Sequence, residues 1–220
     1  MKALVRIVAL VVSICSAPAW AGLITTTTPG DPMGGYDMTT VPVTASVGAF
    51  VNTINLSGPL TGQIEFHSRG PGDLLDMEVE EPGWWQHGND PVYTTSVNWV
   101  EIILPANTQA FSFYVGASWG RARGWWQAFD GDGNHTRRMY FLLSNTYTPG
   151  FGVWNTDSYG TISRIIVEPQ NWGVGYFSIS QGNYTSVPEP GTMSLLGIGL
   201  LGMGFMRRVR RTSGRSDRLA

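Results

Sequence analysis

The sequence predicts an all-β fold, a single β-sandwich of jelly-roll type over residues 22–186, set between two apolar segments with basic ends. Three observations carry that expectation. Between Gly22 and Ser186 no apolar pattern is sustained at the 3.6-residue helical period; short runs rich in β-branched and aromatic residues recur instead between clusters of Gly, Pro, Asn and Asp. Eight or so such runs in these 165 residues suit a sandwich. A chain of this size buries about 70% of its unfolded surface in one core, so it needs no covalent staples. It has none: the one cysteine, Cys15, lies outside it.

The elements follow in chain order. Lys2 and Arg6 precede an apolar run over residues 7–14 and then Ala17-Pro18-Ala19-Trp20-Ala21. A charged start, an apolar core and small residues form the pattern that a signal peptidase reads, so residues 1–21 are expected to be a signal peptide handled by the secretion machinery. Ala19 and Ala21 mark the cleavage site, which would leave Gly22 as the new terminus. Cys15 is a poor lipoprotein cysteine, because the bulky Ile14 stands where such motifs place Gly or Ala.

Thr25-Thr26-Thr27-Thr28-Pro29-Gly30 reads as a flexible leader, since consecutive threonines on a strand would alternate between faces and form no single flat surface. Strands are expected within residues 41–51 and 61–67 and over 92–104, 110–117, 124–130, 137–143, 161–167 and 174–180. In 110–117 the alternation puts Phe111, Phe113 and Val115 on one face, as in a half-buried strand. Asp73 to Glu81 reads as a solvated acidic loop. Asp130-Gly131-Asp132-Gly133-Asn134 reads as a hairpin turn, with Asp-Gly supplying positive φ angles. Its oxygens alternate as in calcium loops, yet His135 and Phe141 stand where an EF-hand needs Gly and Glu, so no metal is expected.

Composition narrows the chemistry. Residues 22–186 contain six basic residues, all Arg, against fourteen acidic ones, a net charge of −8 before histidine. Such a surface disfavours nucleic acid, whose phosphates demand clustered cations. With no Cys and no Lys in this segment, thiol nucleophiles, thiolate metal sites, Schiff-base lysines and P-loops are ruled out there, and no cofactor is expected. His67, His87 and His135 lack metal-ligand spacing. Gly116-Ala117-Ser118-Trp119-Gly120 fits the nucleophile-elbow pattern, but the glycines that follow leave no helix for it.

Tryptophan is in excess, with two adjacent pairs, Trp84-Trp85 and Trp125-Trp126. Neighbours on a strand point opposite ways, so each pair is expected to offer one ring to a polysaccharide, whose C–H faces stack on aromatic rings. The alternative is that both rings are covered. Glu78, Glu80 and Glu81, beside the first pair, would supply the carboxylates if the protein were instead a carbohydrate-active hydrolase.

At the far end, Pro188-Glu189-Pro190-Gly191 leads into an apolar Leu/Gly-rich stretch, 191–206, and then Arg207, Arg208, Arg210 and Arg211. A helix over 191–206 would reach roughly 24 Å at about 1.5 Å per residue, short of the ~30 Å hydrocarbon core. The arginines can snorkel to rescue the span and hold that end in the cytoplasm. The three features in this order resemble the PEP-CTERM sorting signal of Gram-negative bacteria. That resemblance implies recognition by exosortase, a membrane-embedded cysteine transpeptidase, cleavage near Pro188-Glu189-Pro190, and release or transfer to the cell surface, often beside exopolysaccharide production. The tail 212–220 is longer than the family usually keeps. The expectation is thus an exported, non-enzymatic surface or matrix protein: signal peptide 1–21, sandwich 22–186, sorting signal 187–211 with a transient inner-membrane span, and cytoplasmic tail 212–220.

Overall fold

The computed structural model describes residues 22–68, 72–81, 91–117, 121–144, 147–156, 160–168 and 172–182. All belong to one unit, Trp20–Thr185. The expected signal peptide, sorting segment and tail, and the pair Trp84-Trp85, lie outside the described residues. Within them the order is β1 (Leu23–Thr26), β2 (Thr39–Thr40), β3 (Phe50–Val51), β4 (Thr53–Asn55), β5 (Gln63–His67), β6 (Met77–Glu80), β7 (Val92–Thr95), β8 (Val100–Ile103), β9 (Ala110–Ala117), β10 (Arg121–Asp130), β11 (Met139–Ser144), β12 (Gly150–Asn155), β13 (Ile162–Glu168) and β14 (Trp172–Ser180). No helix occurs among the described residues.

The strands form two antiparallel sheets. The larger runs β1-β12-β9-β14-β7-β6-β3, with β2 also on β14; the smaller runs β11-β10-β13-β8-β5-β4. Alternation along each strand sends one set of side chains inward. Rings from the two sheets meet there: Phe66 packs on Tyr93 at 5.3 Å between centroids, Phe113 on Trp126 at 5.5 Å and Phe141 on Phe151 at 5.1 Å. The first and last pairs are tilted and the second is edge-on, and none is the face-to-face sandwich that ring quadrupoles disfavour. Burial pushes the Tyr93 hydroxyl up to a pKa of about 12, because the phenolate would have to shed its water.

β9 matches its expected bounds, and Phe111, Phe113 and Val115 lie in the core as the alternation requires. The strand is not half buried, however. Its opposite face is covered too, because residues 31–38 fold back over the larger sheet and build a small second cluster from Met33, Tyr36 and Ala110 with Trp154 against it. The Tyr36 hydroxyl donates to the Asn155 carbonyl at 2.8 Å and pins this flap. Gly34 turns it with φ +61°, and a Cβ there would sit 2.4 Å from the Trp154 ring, so only glycine fits.

Four expectations need correction. The threonine leader begins in a strand: Leu23–Thr26 pairs with β12 from Leu23↔Asn155 to Thr26↔Gly152. Residues 92–104 are two strands, one in each sheet, separated by a corner that the Trp172 indole holds by donating to the Val97 carbonyl at 3.1 Å. The acidic loop contains β6, where Met77 and Val79 are fully buried and Glu78 and Glu80 point the other way. Within residues 41–51 only Phe50–Val51 is strand, although Val41 is buried and its N–H donates to the Phe177 carbonyl.

Candidate functional site

The tryptophan pair on β10 does alternate, but it offers no open platform. Trp126 is wholly buried between Phe113 and Phe151. Trp125 points outward from the smaller sheet, yet it is only 8% exposed. Trp99 meets it edge-on at 5.5 Å, and the Arg138 guanidinium covers its ring at 4.2 Å. The expected exposed ring is therefore occupied by a cation–π contact from within the same hairpin.

The exposed aromatic surface lies one strand further out. β11 is an edge strand, paired among the described residues with β10 alone. In Met139-Tyr140-Phe141-Leu142-Leu143 the even and the odd positions are both apolar. Phe141 and Leu143 enter the core, so Tyr140 and Leu142 must face solvent, and Tyr140 is 77% exposed. Tyr147, in the connection to β12, is 60% exposed. An open groove of about 800 Å³ lies here, lined by Thr27 just past β1, Arg123 and Gly124 on β10, Tyr140 and Leu142 on β11, Tyr147, and Pro149, with Phe141 and Phe151 beneath. Gly124 makes room for its floor, since a Cβ would stand 2.6 Å from both the Phe141 ring and the Glu168 carbonyl. The signal for this site was visible: a predicted strand with no polar face needs either a second cover or a ligand.

The register sets what stands beside the tyrosines. Arg121 pairs with Ser144, Arg123 with Leu142 and Trp125 with Tyr140. Directly opposed residues share a face, so Arg121, Arg123, Trp125, Tyr140 and Leu142 all lie on the outer side of the smaller sheet. No Asp or Glu is among the described residues lining the groove.

The carboxylates are elsewhere. Glu78 and Glu80 project in parallel from one strand rather than facing each other, and Glu81 follows, exposed. Glu101, almost fully buried, is ion-paired with Arg164 at 2.6 Å. Glu65 accepts hydrogen bonds from His67, at 2.9 Å, and from Gln63. These bonds, His67 first, hold the Glu65 carboxyl below its ordinary pKa. His67 accepts the Gly72 N–H at Nδ1, so its proton sits on Nε2, facing Glu65. The pair is an outer-face crosslink on β5.

Asp130 caps the hairpin turn as expected: its carboxylate accepts the N–H groups of Asp132 and Asn134 at 3.0 and 2.8 Å and the Asn134 amide at 2.9 Å. Among the described residues no group of three His, Cys, Asp or Glu could hold a metal. His135 rests against Phe129 and Gln127. Ser118 to Gly120 of the elbow-like motif are outside the described residues, but β9 and β10 flank them and no helix follows.

The class so defined is a two-sheet antiparallel sandwich with an aromatic, arginine-flanked groove at one edge. Residues 186–211 match the family model of the PEP-CTERM protein-sorting motif, and the chain carries that motif. No curated protein matches the chain significantly. Among solved structures, the CBM22-1 xylan-binding domain of Xyn10C from Paenibacillus barcinonensis aligns at 13% identity and a TM-score of 0.33, over 63% of this chain and 97% of that one. A superposition that loose carries no weight for fold or ligand.

Proposed function

We propose that this is an exported bacterial surface or extracellular-matrix protein whose sandwich binds polysaccharide without catalysing a reaction. The sorting motif at 186–211 is the observation that carries the export half of the reading. On this account the secretion machinery translocates the chain, signal peptidase cuts after Ala21, and residues 191–206 tether the product in the inner membrane with Arg207, Arg208, Arg210 and Arg211 in the cytoplasm. Exosortase then acts near Pro188-Glu189-Pro190 and frees the sandwich to the cell surface or beyond. Two prolines in three residues disfavour a helix across that site, which suits cleavage by a protease.

The binding half rests on the edge groove. Tyr140 and Tyr147 present rings for the C–H faces of sugars and hydroxyls for their oxygens. Trp125, expected from the sequence to contact sugar, flanks Tyr140 beneath Arg138. Hydrolysis would need two facing carboxyls about 5–10 Å apart, and on this reading the groove has a binding role alone. The passage of the chain from sheet to sheet at β7-β8-β9-β10 and again at β11-β12-β13-β14 supports a jelly-roll winding.

Replacing Pro188, Glu189 and Pro190 together with alanine tests the sorting half. The expected outcome is full-length protein accumulating in the inner membrane; normal release of that variant would overturn the reading.

A further inference from the structure

Resting on the reading of the edge groove as a glycan site, we propose that its ligand is an anionic polysaccharide, a uronic-acid chain lying along β11 with its carboxylates on Arg121, Arg123 and Arg138. The argument is one of charge placement. Residues 22–186 hold only six cationic side chains against fourteen acids, and four of the six, Arg121, Arg123, Arg137 and Arg138, fall on the β10–β11 hairpin. Of the other two, Arg164 is consumed by Glu101 and Arg69 is outside the described residues. None of the four hairpin arginines forms an ion pair with a described residue. The register brings Glu65, Glu101 and Glu168 to this sheet face; Glu65 is engaged by His67 and Glu101 by Arg164, while Glu168, the cross-strand partner of Trp125, forms no ion pair with the described hairpin arginines.

A merely solvated surface would scatter its few cations among its many acids. Here they are segregated and without an ion-pair partner among the described residues, Arg138 resting on the Trp125 ring, and Arg121 and Arg123 are neighbours on one strand face. The four strand steps from Arg121 to Trp125, whose ring lies under Arg138, span about 13 Å at ~3.3 Å each, a strip rather than a point. Every cation in it is Arg, whose planar fork meets a carboxylate with two parallel hydrogen bonds. The tyrosines interleaved with them supply stacking surface that a bare phosphate or inorganic anion would not use. A net charge of −8 over residues 22–186 repels the dense phosphates of nucleic acid more than the sparser charge of a uronate chain.

The test uses the exported protein as recovered from cells. Its binding to alginate and polygalacturonate is compared with binding to methyl-esterified polygalacturonate, which keeps the backbone and masks the charge, and to single-stranded DNA. The expected result is tight binding to at least one free uronate, at least about tenfold weaker binding to the ester, and weakening of the uronate complex between roughly 0.05 and 0.5 M salt as the charges are screened. The double variant Arg121→Gln, Arg123→Gln should abolish the preference for free acid over ester while leaving the unfolding midpoint unchanged, since both side chains are exposed. Equal binding of acid and ester would overturn the anionic assignment and leave the glycan reading standing. Binding to no glycan would remove both, and binding to DNA with no uronate binding would reassign the strip to nucleic acid.

Discussion

Glu65 and His67 show how two side chains on one strand tie the protein's stability to pH. Because hydrogen bonds from His67 and Gln63 hold Glu65 below its ordinary pKa, the folded state keeps this carboxylate ionised where the unfolded chain already takes up a proton. Its contribution is complete above the unfolded value of 4.5 and is lost as pH falls through the lower folded value. Between the two values the variant Glu65→Gln should lose stability less steeply with acid than the parent, measured as denaturation midpoint against pH; parallel slopes there would show that the pair carries nothing. Residue-level reading of the sequence reached the alternation of Trp125 and Trp126, which follows from strand geometry alone. It did not reach Arg138, because a cation–π partner thirteen residues away becomes a neighbour only when the hairpin closes in its particular register.

At the scale of elements, β11 combines two roles that usually conflict. An edge strand with apolar side chains on both faces invites pairing with another chain, and Arg137 and Arg138 at its start are the sort of charge that discourages it. The tyrosine it exposes is free to bind because it holds nothing together. Tyr140→Ala should therefore weaken polysaccharide binding about fivefold, corresponding to ~1 kcal/mol of lost stacking, while the unfolding free energy stays within about 0.5 kcal/mol of the parent. A variant that binds as before, or that unfolds markedly earlier, would contradict this division.

Which strands could be read in advance follows the same physics. β9 was legible to the residue because Phe111, Phe113 and Val115 recur at every second position, with the small Ala110, Ser112 and Gly116 among the residues between them. β6 was hidden by its acids, although Met77-Glu78-Val79-Glu80 has the required period, and β12 was hidden by glycines at 150 and 152 that yield to Tyr114 and to Met33. β7 and β8 merged because a run of β-branched residues does not reveal where it leaves one sheet for the other. The groove itself draws on β10, β11 and residues just past β1, so no stretch of sequence contains it.

Over the whole molecule, charge divides the chain into an acidic sandwich and two basic-ended apolar segments. Among the described residues the sandwich has its own core and its own candidate binding edge. A core of its own is what a protein cut free from its anchor requires. The most direct measurement is the intact mass of the protein recovered from the cell exterior. The account predicts a species beginning at Gly22 and ending near Pro188-Glu189-Pro190, without Arg207, Arg208, Arg210 or Arg211; an exterior protein that retains all four arginines would contradict it.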